Sequence, residues 1–207
     1  MRYTFLFCLA FSFILSASAQ NADIEILRAV HSNKSAFLKG YSVAISNSAT
    51  AIGASVPLIM GATALITKND ELLKNSLYIG VSLGVDVALT YSAKSLIKRP
   101  RPYTNYPDIV PYEQMESYSF PSGHSSLAFT TATALTLKYP KWYIIVPSYF
   151  WACSVGYSRM NFGVHYPSDV LAGAVLGAGS AYVTYKVNEW YWKKYENKKL
   201  IGENSWL

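Results

Sequence analysis

Three short blocks of this chain carry side chains suited to chemistry on an anion. The first is Lys94-Ser95-Leu96-Ile97-Lys98-Arg99-Pro100-Arg101-Pro102, with four cations in eight residues at the end of an apolar run. Cations so placed either anchor a helix at a membrane surface or line an anion site. The second is Ser119-Phe120-Pro121-Ser122-Gly123-His124-Ser125-Ser126. Pro, Ser and Gly ahead of a helical apolar run suit a helix N-terminus, with Pro121 in its first turn. Free N–H groups at such an end bind phosphate, Gly123 lets the anion approach the backbone, and His124 would sit beside it. Taken singly, His124 is equally a capping or interface residue. The third block runs from Ser158-Arg159 to His165-Tyr166-Pro167-Ser168-Asp169. His165 and Asp169 are four apart, so a helical turn would put them on one face within hydrogen-bond reach. A carboxylate that fixes one imidazole nitrogen leaves the other as a lone-pair donor, as a nucleophilic histidine requires. The alternative is an N-capping Asp beside a structural His. Together the blocks supply a cationic clamp, a helix N-terminus, a nucleophile, an orienting acid and a proton donor, the parts phosphoryl transfer needs.

The elements that must hold these blocks are apolar helices. The 207 residues fit one domain, and only 14% are charged, against about 25% in an ordinary soluble domain. Hydrophobic residues make up 51% of the chain, although the mean hydropathy of +0.15 is modest for a protein embedded in lipid. The net charge of +6 is not arranged as a nucleic-acid stripe: five of the eighteen cations fall between Lys186 and Lys199. That pattern reads as topology-setting charge. Residues 1–19 read as an export signal with an Ala17-Ser18-Ala19 cleavage site, or as a first transmembrane segment. Residues 20–207 then form a single domain that starts outside the cytoplasm. With Cys8 in the signal, Cys153 has no internal disulfide partner and reads as a small core residue.

Ala22 to Lys39 has the pattern of a short amphipathic helix, on a membrane surface or packed on the domain. Five apolar stretches follow, at 40–67, 75–93, 117–137, 142–158 and 170–185. The first is charge-free and rich in Gly, Ala and Ser, which permit close packing in lipid. The second is broken by Asp86, which must face a bundle interior if the segment spans. The last two are short for spanning. Between them lies an aperiodic loop, 103–120. If all five span, segments 68–74, 138–141 and 186–207 share the side that positive charge favours, the cytoplasm, and the three blocks share the other. The strongly basic run Lys94–Arg101 then sits on the outer side, where it needs a functional reason.

These motifs resemble the type 2 phosphatidic-acid phosphatase and haloperoxidase superfamily, whose signature is K-x6-R-P, then P-S-G-H, then S-R-x5-H-x3-D. Every signature position is present, from Lys94 and Arg101-Pro102 through Pro121-Ser122-Gly123-His124 to Ser158-Arg159, His165 and Asp169. The resemblance implies an all-α helical bundle, here a polytopic membrane protein with five spans after the N-terminal segment. It implies that Lys94, Arg101 and Arg159 grip the phosphate oxygens and that Ser122 and the Gly123 N–H complete the pocket. His165 would attack phosphorus to form a phosphohistidine, Asp169 would orient it, and His124 would protonate the leaving oxygen. No metal or cofactor is implied. The expected partners are a membrane and a phosphorylated lipid, with no nucleic acid, and the expected place is a bacterial cytoplasmic membrane with the site facing the periplasm. A soluble secreted acid phosphatase acting on small monoesters is the alternative. A haloperoxidase is disfavoured by length and a silent scaffold by the complete signature. His31 lies outside the motifs and reads as structural or surface.

Overall fold

The computed structural model describes residues 21–32 and 35–204, with side chains as far as Lys194. The export signal or first transmembrane segment expected over residues 1–19 lies outside the described residues. All the regular structure described is helical: α1 (residues 21–31), α2 (Ala36–Thr67), α3 (Asp70–Ile97), α4 (Pro102–Asn105), α5 (Gly123–Lys138), α6 (Trp142–Asn161) and α7 (Pro167–Asn204). The amphipathic segment expected over Ala22–Lys39 is thus two elements. Its first part is α1; a break follows, and Ser35 caps the next helix by accepting a hydrogen bond from the Leu38 N–H at 3.2 Å. Asn69 caps α3 in the same way, accepting from Leu72 N–H at 3.0 Å. Both α2 and α3 end on a lysine in the left-handed region, Lys68 (φ 53°) and Lys98 (φ 51°). Each costs roughly 1 kcal/mol for a residue with a Cβ, and at Lys98 it turns the chain back so that Arg99 and Arg101 point under the bundle end.

Helix α5 is the central post, packed by α2, α3, α6 and α7. Its approach to α7 is close because Gly173 and Gly177 lie one turn apart on the facing stripe. A Cβ on Gly177 would stand 2.1 Å from Ser126 O, and one on Gly173 2.5 Å from Ser122 O. Small residues at this spacing let helix backbones touch, and α7 is thereby fixed against the start of α5. The interior of α5 is hydroxylated: Ser125, Ser126, Thr130 and Thr131 are buried. Thr130 and Thr131 donate to the carbonyls of Ser126 and Leu127, each at 2.9 Å. Asp86 of α3 is buried, as its place in an apolar segment required, and accepts from the Ser126 hydroxyl.

The outside of the bundle is the reverse. Leu58, Ile59, Leu65 and Ile66 on α2, Leu77 and Val81 on α3, and Leu171 and Val175 on α7 are exposed. A polar, small-residue interior inside an apolar surface is the arrangement suited to lipid, where packing rather than hydrophobic burial holds helices together. Three helical stretches, Ala36–Thr67, Asp70–Asn105 and Pro167–Lys194, are long and apolar enough to cross a membrane. Two of the five expected spans are not among them. Helix α5 has only 16 residues, and its enclosed position lets it carry Ser and Thr that lower its hydropathy. Helix α6 has 20 residues, and polar groups at its site end do the same. Helix α7 runs well past the fifth apolar stretch, because its Lys-rich continuation is a good helix former. Cys153 is exposed on α6 rather than in the core.

Candidate functional site

At one end of the bundle the three motif blocks converge. The end of α3 brings Lys94, the segment before α4 brings Arg101, and the start of α5 brings Gly123 and His124. The end of α6 brings Arg159, and the α6–α7 loop brings His165. All six line one cavity of about 320 Å³, together with Thr50, Asp86, Val87, Thr90, Tyr91, Met115, Ser117 and Leu127.

The cations around this cavity share an electrostatic predicament. Lys94, Arg101 and Arg159 are all buried, yet none has a carboxylate partner among the described residues. Lys94 Nζ donates to Tyr118 O at 2.6 Å. Arg101 spends its fork on Ser117 O (2.7 Å), Ser117 Oγ (3.1 Å) and Val164 O (2.9 Å). Arg159 Nη1 donates to Ser46 Oγ at 2.5 Å, and its buried Nε has no partner. A buried charge left without a counter-ion costs several kcal/mol, so three around one cavity make a site that an anion would stabilise strongly.

His165 precedes α7 rather than riding on it, so the expected helical-turn geometry is replaced by one across the helix N-terminus. Asp169 lies in the first turn of α7, and its Oδ2 accepts from Tyr166 N–H at 2.9 Å and from Ser119 Oγ at 2.5 Å. His165 Nδ1 stands 3.6 Å from that oxygen, longer than a hydrogen bond. On the other side of the ring, Arg101 Nη1 is 3.4 Å from Nε2. An arginine can only donate, so Nε2 carries the lone pair and Nδ1 the proton that faces Asp169. Burial, reinforced by Arg101 and Arg159 and opposed by Asp169, pushes the His165 pKa down to about 3. The imidazole is therefore neutral at ordinary pH, with its lone pair directed towards the cationic cavity.

Block two differs in detail from the sequence reading. Pro121 lies ahead of α5, not in its first turn, and Ser122 is the N-cap. The Ser122 hydroxyl does not cap its own helix. It is fully buried and accepts from Ser125 Oγ at 2.9 Å. Gly123, not the Ser122 side chain, reaches the cavity wall. The Ser122 N–H instead donates to Asp169 O at 3.0 Å, which ties the start of α5 to the start of α7.

Sequence reasoning missed three participants. Ser119 bonds Asp169 directly. Arg99, read only as one of a run of cations, donates from Nη1 to Asp169 Oδ1 at 2.6 Å and from Nη2 to Asp23 Oδ2 at 2.8 Å. Asp23 belongs to α1, which packs Ile24 and Leu27 against Ile109 and Tyr166. The hint in the sequence was an acidic residue on the apolar side of an amphipathic helix. His31, on the same helix, is structural: it is buried, and its Nδ1 lies 2.8 Å from Asn161 O.

The chain is similar to known proteins in sequence and in fold. The undecaprenyl-diphosphatase of Sulfolobus acidocaldarius is 28% identical over 166 residues, which is 80% of this chain and 78% of the relative. The crystal structure of Aquifex aeolicus LpxE superposes with a TM-score of 0.67 at 26% identity, covering 80% of this chain and 95% of that one. The transmembrane PAP2 type phosphatidylglycerolphosphate phosphatase from Bacillus subtilis gives a TM-score of 0.71 at 27% identity, covering 87% and 94%. A family model described as the PAP2 superfamily matches residues 75–193, which hold every motif residue lining the cavity. With more than half of the chain matched and the signature side chains brought to one pocket, the protein belongs to the PAP2 superfamily.

Proposed function

We propose that this protein is a membrane phosphatase that hydrolyses a phosphate monoester or diphosphate of a lipid through a phosphohistidine intermediate. The observation that carries this reading is the cavity walled by Lys94, Arg101 and Arg159, three buried cations with no carboxylate partner among the described residues, with a neutral histidine at its edge. In the first step the His165 Nε2 lone pair attacks phosphorus, a P–N bond forms, and the bond from phosphorus to the leaving oxygen breaks. His124 gives that oxygen its proton. In the second step water attacks phosphorus, the P–N bond breaks, and His124 takes the proton from the water. The cations and the Gly123 N–H stabilise charge spread over the equatorial oxygens. Two of the relatives named above are by name an undecaprenyl-diphosphatase and a phosphatidylglycerolphosphate phosphatase, which supports a lipid substrate drawn from isoprenyl diphosphate, phosphatidylglycerol phosphate, lipid A and phosphatidate.

The exposed apolar faces of α2, α3 and α7 support membrane embedding over a soluble secreted acid phosphatase. The two short Lys-bearing turns, α2–α3 with Lys68 and α5–α6 with Lys141, lie at the end opposite the site. By the positive-inside tendency this supports five spans after the N-terminal segment 1–19, the domain 20–207 in a bacterial cytoplasmic membrane, and a periplasmic site.

The test is trapping. Brief reaction with a ³²P-labelled lipid phosphate, followed by an alkaline quench, should leave label on the protein that is stable to base and released by acid, as a P–N bond requires. Label that survives acid, or a turnover without any labelled protein under single-turnover conditions, would refute the histidine intermediate. A panel of undecaprenyl diphosphate, lipid A, phosphatidylglycerol phosphate and a soluble monoester then ranks substrates; preference for the soluble monoester would sink the lipid assignment.

A further inference from the structure

Arg99 stands behind the site, not in it. It does not line the cavity, and unlike the three clamp cations it is saturated by carboxylates on both arms. Nη1 reaches Asp169 Oδ1 at 2.6 Å and Ser168 Oγ at 2.7 Å, and Nη2 reaches Asp23 Oδ2 at 2.8 Å. Its guanidinium carbon also lies over Tyr166, 3.9 Å from the ring centroid. Asp23 in turn accepts from Ser168 N–H at 2.8 Å and from the Ser168 hydroxyl. The first turn of α7, which carries Asp169, is therefore held from outside by α1. That helix is itself held by Ile24 and Leu27 in an apolar cluster, while an exposed Arg28–Asp108 ion pair at 2.7 Å adds little.

We infer that Asp23 and Arg99 form a strut that fixes the Asp169 carboxylate, and through it the orientation of His165, so that α1 is a working part of the catalytic site. The inference rests on the roles of His165 and Asp169 proposed above. The physical reason lies in the length of the His165–Asp169 approach. At 3.6 Å the carboxylate does not hold the ring by a short hydrogen bond, so the placement of Asp169 is set by its other partners. Ser119 and the Tyr166 N–H hold Oδ2. Among the described residues, Arg99 alone holds Oδ1. Without Arg99 the carboxylate is free to swing about the Oδ2 contacts, and Asp23 becomes a buried anion with no counter-ion. Asp23 and Arg99 are positioning residues: neither touches the cavity.

The experiment uses the full-length protein in detergent or vesicles, with turnover measured as phosphate release and folding followed by thermal unfolding. Arg99→Ala should lower kcat roughly a hundredfold, the size expected for a misplacement of about an ångström, with KM little changed. Arg99→Lys, which keeps the charge and much of the volume, should lie between it and the native protein. Millimolar guanidinium should restore part of the turnover of Arg99→Ala and do nothing for the native protein. Asp23→Asn should lower kcat roughly tenfold in the native background and cause little further loss beside Arg99→Ala, because residues acting in series are not additive. Arg28→Ala removes only an exposed ion pair of the same helix, which contributes little, and should leave kcat nearly native.

A rise in KM at unchanged kcat would make Arg99 a substrate clamp and overturn the strut. So would additive losses at Asp23 and Arg99 with no guanidinium rescue, or an equal loss in Arg28→Ala, either of which means a general structural role. His165→Ala separates the two levels. If it is inert while Arg99→Ala is fully active, the strut fails alone; if His165→Ala turns over normally, the underlying reading fails and takes the strut with it.

Discussion

At the end of the bundle formed by the α2–α3 and α5–α6 turns, lysines stand at or near the surface beside aromatic rings. Lys74 Nζ lies 4.2 Å from the Trp192 ring centroid and Lys138 Nζ 5.0 Å from that of Tyr185, while Lys186 pairs with Glu189 at 3.2 Å. At the opposite end, Lys94, Arg101 and Arg159 are buried and spend their donors on carbonyls and hydroxyls. In sequence both ends are simply basic flanks of apolar helices. In three dimensions one set keeps its charge near water, with ring faces shielding the stems, and needs no ligand. The other is desolvated without a counter-ion, which is the condition an anion relieves. Cation count does not distinguish an anchor from an anion site; solvation and partnering do. The same contrast gives the basic run Lys94–Arg101, expected on the outer side, its functional reason: Lys94 and Arg101 line the cavity, while Arg99 is consumed in holding Asp169.

The contrast is open to attack from the site end first. His165→Ala should reduce turnover by roughly a thousandfold or more, the scale seen when a covalent nucleophile is lost, with the unfolding temperature nearly unchanged. Native-like phosphate release would break the assignment. Next in size, Arg159→Lys should lower kcat/KM by about a hundredfold, because a single ammonium cannot reproduce a planar fork on a charge-spreading transition state. A change smaller than about threefold would mean Arg159 is structural.

A smaller effect concerns pH. The His165 pKa is depressed to about 3 by burial and by Arg101 and Arg159, against Asp169; Lys94 and His124 face the same cavity. The acid limb of kcat/KM that reports His165 should therefore lie near pH 3. Arg101→Gln removes a lowering influence, so that limb should move to higher pH in a pH–rate profile; movement to lower pH would contradict the charge arrangement. The linkage to stability has a definite sign. The folded value lies below the ordinary value of about 6.5, so the neutral ring favours the fold above that pH. The contribution is lost as pH falls from about 6.5 towards about 3. The smallest effect belongs to the other end. Lys74→Ala should change stability by about 0.5–1 kcal/mol at most, the value of an accessible cation–ring contact, with turnover unaltered. A large loss of activity there would erase the distinction between the two ends.

Helices, their order and the gathering of three motif blocks were legible in the residues. Apolar runs bounded by charge or by Asn and Ser caps specify helices locally, and the signature spacing at Lys94–Arg101 and His165–Asp169 needs only sequence to be seen. The buried carboxylate Asp86 was likewise forced inward by the cost of a charge in an apolar helix. What sequence left undecided depends on neighbours distant along the chain. The buried rather than cavity-facing Ser122 hydroxyl and the exposed Cys153 follow from how α5, α6 and α7 pack. The third stretch, 117–137, was expected to span, but its α5 is not among the helices long and apolar enough to cross a membrane, because its hydroxyls are satisfied only once four helices surround it.

The division between the two sources of information is sharpest at Asp169. Sequence determined that a carboxylate follows the histidine by four residues, and hence that the pair is available for chemistry. Only the tertiary structure decided that the histidine lies outside the helix, that its Nε2 lone pair faces the buried cations, and that the carboxylate is held through Arg99 by a residue of α1. Local spacing governs contacts within a turn. The partners of a buried charge come from wherever the chain returns, and that is fixed by packing alone.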